Sequence, residues 1–202
     1  MSLRHDYYII ESLNDKDIKD GKIFYDSLKS IEGFDPIYKK VESFNEFKKA
    51  MKEFADSNLQ YLFVSAHGDE ENIHLVSGDV NAYDLLEMNI RLNKRRVFLS
   101  TCKGGSFLFG KYFIKKGAYS VIGAPDNLAQ IVAVGMWSTM IVLFERFNNG
   151  IINFSELDKT LKLMNKVYEI DLKYYSFVRN KQQMKEYDYS LKSGRTRRDI
   201  SI

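Results

Sequence analysis

Three short apolar runs, spaced along the middle of the chain, constrain its fold more than any other feature of the sequence. They are Tyr61–Ser65, Val97–Thr101 and Tyr119–Gly123. None has the polar alternation of a half-exposed strand, and uninterrupted runs of this length are typical of parallel strands covered on both faces. Helical patterns lie between them, and strands that alternate with helices predict an α/β fold with a mostly parallel sheet.

Two further segments extend the predicted sheet. Tyr7–Ile10 is a short apolar run, and Pro36–Val41 has strand character. We therefore expect a three-layer α/β sandwich whose mostly parallel central sheet has about five to six strands.

Helix signals separate the strand candidates. Ser43 and Glu46 form a capping box, in which each side chain accepts a hydrogen bond from an orphan amide at the helix start. A second helix is predicted over Leu128–Phe147, and Ser155 is expected to cap the last one. The apolar positions of that last helix are Leu157, Leu161, Met164, Tyr168 and Leu172.

Composition predicts one domain followed by a tail. Of the 202 residues 45% are hydrophobic, which is enough for a single core. From Asp171 to the C-terminus, eight Lys and Arg face four Asp and Glu. We expect a domain over 1–178 and a basic, mobile tail over 179–202, either simply solvated or used for docking or processing.

Charge and cysteine usage exclude several classes of protein. A net charge of +3 gives no general case for a nucleic-acid partner. One cysteine excludes an internal disulfide and fits a reducing compartment, and Met1 is not followed by a secretory signal. The longest apolar stretch, Ile131–Phe144, is shorter than the roughly 20 residues of a membrane span. We expect a cytoplasmic protein without a membrane partner.

The strand ends carry the residues of chemical interest. His67-Gly68 follows one predicted strand and Cys102 follows the next. Because the carboxyl ends of neighbouring parallel strands meet at one edge, an imidazole and a thiol are predicted to share a rim. Lys103 and a helix begun by Gly104-Gly105-Ser106 would favour the thiolate.

This histidine and cysteine are residue types that can act as a general base and a nucleophile. A histidine beside a cysteine can remove its proton or protonate a leaving amine, and the backbone amides of Gly68 and Cys102 are candidates for an oxyanion hole. Taken singly, a strand-end cysteine is most often a small buried residue and a lone histidine a structural one. Their matched placement at two strand ends, each with a glycine within the next two residues, favours a catalytic role.

Four segments together resemble a known family. VSAHGDEENIHL, RRVFLSTCKGG, VIGAPDNLAQIVAVG and FERFNNGIINFSELDKTL are similar to successive blocks of the caspase-like cysteine peptidases, clan CD, and most of all to the CHAT group related to separase. The resemblance covers about Tyr61–Leu163. It implies a caspase/hemoglobinase fold and peptide-bond cleavage with His67 as base and Cys102 as nucleophile, without a metal or other cofactor. It also suggests a specific protein substrate, an activating partner and a role in bacterial defence.

The resemblance also suggests substrate contacts. In separase-like relatives an acid after the following strand recognises a basic residue, and Asp126 matches that position loosely, since its loop is short and lacks an aromatic residue of the family. Asp126 is therefore either a pocket residue or a cap of the next helix. Ser100, in the Ser-x-Cys motif, and Asp69, in the acidic loop, are the other expected contacts.

Other functions use the same residues. His67, Asp69 and His74 are a conceivable zinc set on one loop. A caspase-like fold without activity would act as an adaptor, although such a module has no need of a His/Cys pair. A third alternative is a peptidase that is latent until a partner or ligand arrives.

Overall fold

A mixed sheet forms the middle layer of the protein. The computed structural model describes residues 4–148, 152–178 and 183–202, and these contain ten strands and six helices. The strands are β1 (Arg4–Ser12), β2 (Ile37–Lys40), β3 (Leu59–Gly68), β4 (Asn72–Leu75), β5 (Gly78–Asn81), β6 (Arg96–Ser100), β7 (Ser120–Gly123), β8 (Leu172–Val178), β9 (Gln183–Ser190) and β10 (Gly194–Ser201). The helices are α1 (Asp20–Lys29), α2 (Phe44–Asp56), α3 (Asp84–Glu87), α4 (Phe107–Lys115), α5 (Gln130–Asn148) and α6 (Phe154–Tyr168).

The three apolar runs are neighbours in this sheet, as predicted. The strand order is β10-β9-β8-β7-β6-β3-β1-β2, and β4 and β5 form a hairpin attached to β3. The five strands from β2 to β7 on this path are parallel, whereas β8, β9 and β10 are antiparallel to their neighbours. The prediction of five to six mostly parallel strands was therefore wrong for the whole sheet, because an antiparallel extension follows β7.

The extension includes the segment that was expected to be a mobile tail. Residues 183–190 and 194–201 form β9 and β10, while 179–182 lie outside the described residues. Met184 and Tyr189 of β9 are buried. Cross-strand ion pairs accommodate the charges that suggested a tail; in one, Lys173 of β8 contacts Glu186 of β9 at 2.5 Å. The domain boundary at 178 remains a prediction.

Helices cover both faces of the sheet. Successive side chains of a strand point to opposite faces, so Tyr8 and Ile10 of β1 pack in one apolar cluster with α2 and α4. Tyr7 and Ile9 pack in the other with α1, α5 and α6. This arrangement is a three-layer α/β sandwich.

Local signals at two helix starts had different outcomes. Ser43 and Glu46 form the predicted capping box of α2. In α6, however, Asn153 and not Ser155 is the N-cap, because its side chain accepts a hydrogen bond from the Glu156 amide at 3.0 Å. The helix ends at a left-handed Glu169, so Leu172 belongs to β8 and not to the apolar face of α6.

The long apolar segment is part of this core. Met136 and Trp137 of α5 are almost fully buried against the sheet. No helix in the part of the chain described by the structure combines the length and the apolar character needed to cross a bilayer.

Candidate active site at the carboxyl edge of the sheet

Strands β3 and β6 bring the histidine and the cysteine to the same rim. They are parallel neighbours, with Ser65 paired to Ser100. His67 and Cys102 each lie two residues beyond that pair, and both line one small cavity. The sequence prediction of their juxtaposition therefore agrees with the structure.

Gly68 allows the two strand ends to touch. A β-carbon at this position would lie 3.2 Å from Thr101 Cβ and 3.3 Å from the Cys102 carbonyl oxygen. Both distances are tight, so a larger residue would push the cysteine loop away. The candidate oxyanion amides of Gly68 and Cys102 thus belong to adjoining backbone segments, but their catalytic role remains a prediction.

The loop after the cysteine is held by backbone bonds. Lys103 has a positive φ of 54°, its amide donates to the Asp126 carbonyl at 2.9 Å, and the Gly105 amide donates to Ala124 at 2.7 Å. Helix α4 starts only at Phe107, with Ser106 as its N-cap. Gly104 and Gly105 therefore belong to a turn that leads into the predicted helix, and this turn separates the thiol from the helix dipole.

Asp17 is a partner of the histidine that sequence reasoning missed. Its Oδ2 lies 3.1 Å from His67 Nε2. Burial alone would raise the pKa of Asp17, but the hydrogen bonds from His67 and the Asn14 amide outweigh it, so the pKa is lowered. An ionised carboxylate accepts a hydrogen bond from Nε2–H, and in the neutral ring this leaves Nδ1 without a proton. The use of Nδ1 in proton transfer remains a prediction. Asp17 lies in a polar loop before α1, where no motif singles it out.

The cysteine sulfur contacts the loop between β7 and α5. The Leu128 amide donates to Cys102 Sγ at 3.4 Å, and Sγ lies 3.8 Å from the Leu128 carbonyl oxygen. Cys102 is a free, partly exposed thiol. The cavity that it shares with His67 measures about 20 Å³, the space of one water molecule. A peptide side chain does not fit without movement of the lining residues.

A buried polar network lies beneath the two strand ends. Asp20, at the start of α1, accepts hydrogen bonds from the Ser65 and Ser100 hydroxyls, both at 2.5 Å. Trp137 Nε1 donates to Ser100 at 2.9 Å. Ser100, expected to contact substrate, lines the cavity but is 5% exposed, and its hydroxyl is already bonded to Asp20 and Trp137.

The other two expected substrate contacts lie at the rim. Asp126 is exposed, and its backbone is tied to the loop of the cysteine. Asp69 accepts hydrogen bonds from the Glu71 and Asn72 amides and contacts His74 Nε2 at 3.2 Å. The role of these acids in substrate binding remains a prediction.

The zinc alternative does not fit this geometry. His74 uses its two ring nitrogens for Asp69 and Asp79, while His67 faces Asp17. Within the described residues no group of three His, Cys, Asp or Glu side chains is placed to hold a metal ion.

Comparison with known proteins shows the fold. No family model matches the chain, and no curated protein matches it by sequence. One solved structure with this fold is the complex of the pro- and mature domains of Porphyromonas gingivalis RgpB, with a TM-score of 0.55 and 8% identity over 98% of this chain and 68% of that one. Another is the Arg-specific cysteine proteinase gingipain R, with a TM-score of 0.57 and 9% identity over 98% and 67% of the two chains. The architecture is therefore a caspase-like α/β fold.

Proposed function

We propose that this chain is a cysteine endopeptidase that cleaves a protein partner through Cys102 and His67. The observation that carries the proposal is that both residues end adjacent parallel strands of a caspase-like fold and line one cavity. Assignment to the CHAT and separase-like branch and the defence role depend only on the four sequence segments, and the cytoplasmic location is proposed from the cysteine usage.

The proposed reaction has two stages. His67 takes the proton of the Cys102 thiol, and Sγ attacks the substrate carbonyl to form a carbon–sulfur bond. The amide carbon–nitrogen bond then breaks as His67 passes that proton to the leaving amine. Water, deprotonated by His67, then hydrolyses the thioester and restores the thiol. The amides of Gly68 and Cys102 are our candidates for stabilising the oxyanion in both stages.

The contacts of the thiol support a latent form of this enzyme. In this structure Cys102 Sγ is hydrogen-bonded to the Leu128 backbone, and no hydrogen bond joins it to His67. Because the cavity holds little more than one water, a substrate or an activating protein would have to displace the 124–129 segment. The gingipain complex joins a pro-domain to a mature domain, and we propose a protein partner here as well.

We further propose that a basic residue precedes the cleaved bond. Asp126 is exposed at the rim, and its backbone is bonded to the cysteine loop. Gingipain R is described as Arg-specific. An acid in the substrate pocket would give the same preference through a charged hydrogen bond.

Labelling by peptidyl chloromethyl ketones tests the proposed function. The chain has one cysteine, so mass spectrometry of the intact protein reports the site directly. We expect reagents ending in Arg or Lys to modify the folded protein faster than those ending in Leu or Glu, and Asp126→Asn to reduce this difference relative to Asp171→Asn.

Each alternative has its own outcome in this experiment. Reaction with iodoacetamide but with no peptide reagent, with or without candidate partners, would identify an adaptor. Labelling only after a second protein is added would identify the latent enzyme. Faster labelling by the Leu or Glu reagent would remove Asp126 from the specificity pocket.

Asp17→Asn is expected to lower kcat by about tenfold to a hundredfold while leaving KM nearly unchanged. The amide still accepts a hydrogen bond but no longer stabilises a charged imidazolium. Asp15→Asn is the matched control, since Asp15 lies in the same loop with its side chain 95% exposed. Steady-state kinetics on a peptide found by the labelling experiment would measure the effect. Equal kcat for both variants would exclude Asp17 from orienting His67.

A further inference from the structure

A second cavity lies at the opposite edge of the sheet from Cys102. It measures about 730 Å³, within the usual range of small-molecule sites. Ser176 and Val178, near the end of β8, line it together with Tyr119. Ser176 pairs with Ser120, the first residue of β7, so the cavity adjoins the amino ends of the parallel strands. It is therefore distinct from the candidate active site.

Aromatic rings form much of the cavity wall. Phe154 and Tyr187 have centroids 5.0 Å apart, and those of Tyr174 and Tyr187 are 5.5 Å apart. Phe154 is 37% exposed and Tyr119 36%, so both offer ring surface to a ligand. Exposed rings clustered in this way can hold a flat aromatic group by stacking.

Cations from the C-terminal strands complete the wall. Lys185, Arg195 and Arg197 line the cavity, and no Asp or Glu does. In register, Tyr187 of β9 is paired with Arg197 of β10, so a ring and a guanidinium stand side by side. Arg195 lies over the Tyr187 ring with its guanidinium carbon 5.0 Å from the centroid.

The acids nearby neutralise only part of this charge. Asp158 contacts Arg195 at 3.0 Å and Asp199 contacts Arg197 at 3.1 Å. Lys185 forms no ion pair among the described residues. The cavity therefore keeps a cation that is available to an anionic ligand.

A buried guanidinium lies directly behind the wall. Arg96 is 5% exposed, and its guanidinium carbon is 4.6 Å from the centroid of the Tyr119 ring. It donates to the Ser120 hydroxyl and the Ile152 carbonyl, its Nε has no hydrogen-bond partner in the described chain, and no carboxylate is paired with it there. Arg96 does not line the cavity itself, but its charge adds to the positive potential behind the wall.

We propose that this cavity binds a nucleotide. The base stacks on the exposed ring of Phe154, and the phosphates contact Lys185 and Arg197. A ligand with an aromatic ring and a compact negative charge matches both parts of the wall, whereas a purely apolar ligand would leave the cations unpaired. The site gives a function to the basic C-terminal residues that the proposed peptidase reaction does not use.

Binding of ATP to the full chain, measured by isothermal titration calorimetry, tests the proposal. We expect ATP to bind at least about tenfold more tightly than adenosine or pyrophosphate, because adenosine lacks the phosphates and pyrophosphate lacks the aromatic base. Phe154→Ala and Arg197→Ala should each weaken ATP binding by about tenfold. Arg197 is about half exposed, so Arg197→Ala should melt like the natural chain. Phe154 packs on Tyr187, so Phe154→Ala should melt at a lower temperature, and its ATP binding is measured well below that temperature.

Arg198→Ala is the matched control. Arg198 is the next residue on β10 and therefore points to the other face, where it contacts Glu186 at 3.7 Å. ATP affinity should stay within about twofold in this variant. Cys102→Ala should bind ATP normally, so failure of the peptidase proposal would not affect this one.

Three results would overturn the nucleotide assignment. They are no saturable binding of ATP, GTP or UTP; pyrophosphate binding as tightly as ATP; and equal losses in Arg197→Ala and Arg198→Ala. Tighter binding of a phosphotyrosine peptide than of any nucleotide would assign the cavity to a different ligand.

Discussion

Cys102→Ala is expected to abolish peptide cleavage, with a loss of about four orders of magnitude or more. The reason is that no other thiol exists in the chain and that the first stage of the proposed reaction needs a sulfur nucleophile. A fluorogenic peptide with the residue preferred in the labelling experiment provides the assay. A rate within about tenfold of the natural chain would exclude the covalent mechanism.

The same substitution should leave the fold intact. The thiol is partly exposed, and its loss removes only weak sulfur hydrogen bonds with Leu128, for which we expect about 1 kcal/mol. Thermal melting would verify this. Cys102→Ser is the conservative control, because it retains a polar group beside Leu128. It should also be nearly inactive, because a serine hydroxyl is far less acidic than a thiol and therefore a weaker nucleophile beside the same histidine.

Asp20→Ala is expected to destabilise the protein by about 3 kcal/mol. Asp20 is 5% exposed, and removal of its carboxylate leaves the buried hydroxyls of Ser65 and Ser100 without their acceptor. Asp26→Ala, in the same helix, is the control: its side chain is 59% exposed and pairs with Lys22, so we expect a loss below about 0.5 kcal/mol. Urea denaturation would measure both. Similar losses in the two variants would contradict the proposed importance of the buried network.

The environment of Asp20 also predicts how the free energy of unfolding depends on pH. Burial raises its pKa, an effect that the hydrogen bonds from Ser100 and Ser65 reduce and the neighbouring Glu11 increases. The native state therefore holds this proton more tightly than the unfolded chain. Its contribution to stability is complete below the unfolded pKa near about 4 and is lost as pH rises through the native pKa.

Asp20→Asn should remove this dependence. As pH is raised above about 4, the unfolding free energy of the natural chain should fall relative to that of Asp20→Asn. Urea denaturation at a series of pH values would measure the trend. A difference that is constant with pH would mean that Asp20 keeps an ordinary pKa in the folded protein.

The candidate site was partly predictable because two of its residues end neighbouring strands. In a parallel sheet, position along a strand fixes position at the edge, so His67 and Cys102 could be placed together from the runs before them. Asp17 could not be, since it reaches His67 across 50 residues from a loop without periodicity. Asp20 was also missed, since only the packing of α1 against the sheet makes it buried.

The antiparallel strands β9 and β10 could not be predicted from the sequence either. Their many Lys, Arg, Asp and Glu residues resemble a solvated tail when they are counted. In the sheet, Glu186 of β9 lies near both Lys173 of β8 and Arg198 of β10. Charge counting does not reveal such pairs, which depend on strand register.

The sequence alone determined the five parallel strands β1, β2, β3, β6 and β7, the capped α2 and the meeting of a histidine with the single cysteine. These follow from local periodicity, capping and the geometry of neighbouring parallel strands. Only the tertiary structure decided that Asp17 lies beside the His67 ring, that the Leu128 backbone contacts the sulfur and that the basic C-terminus becomes sheet. Those contacts join segments distant along the chain, and their energies arise only when the packed layers bring the segments together.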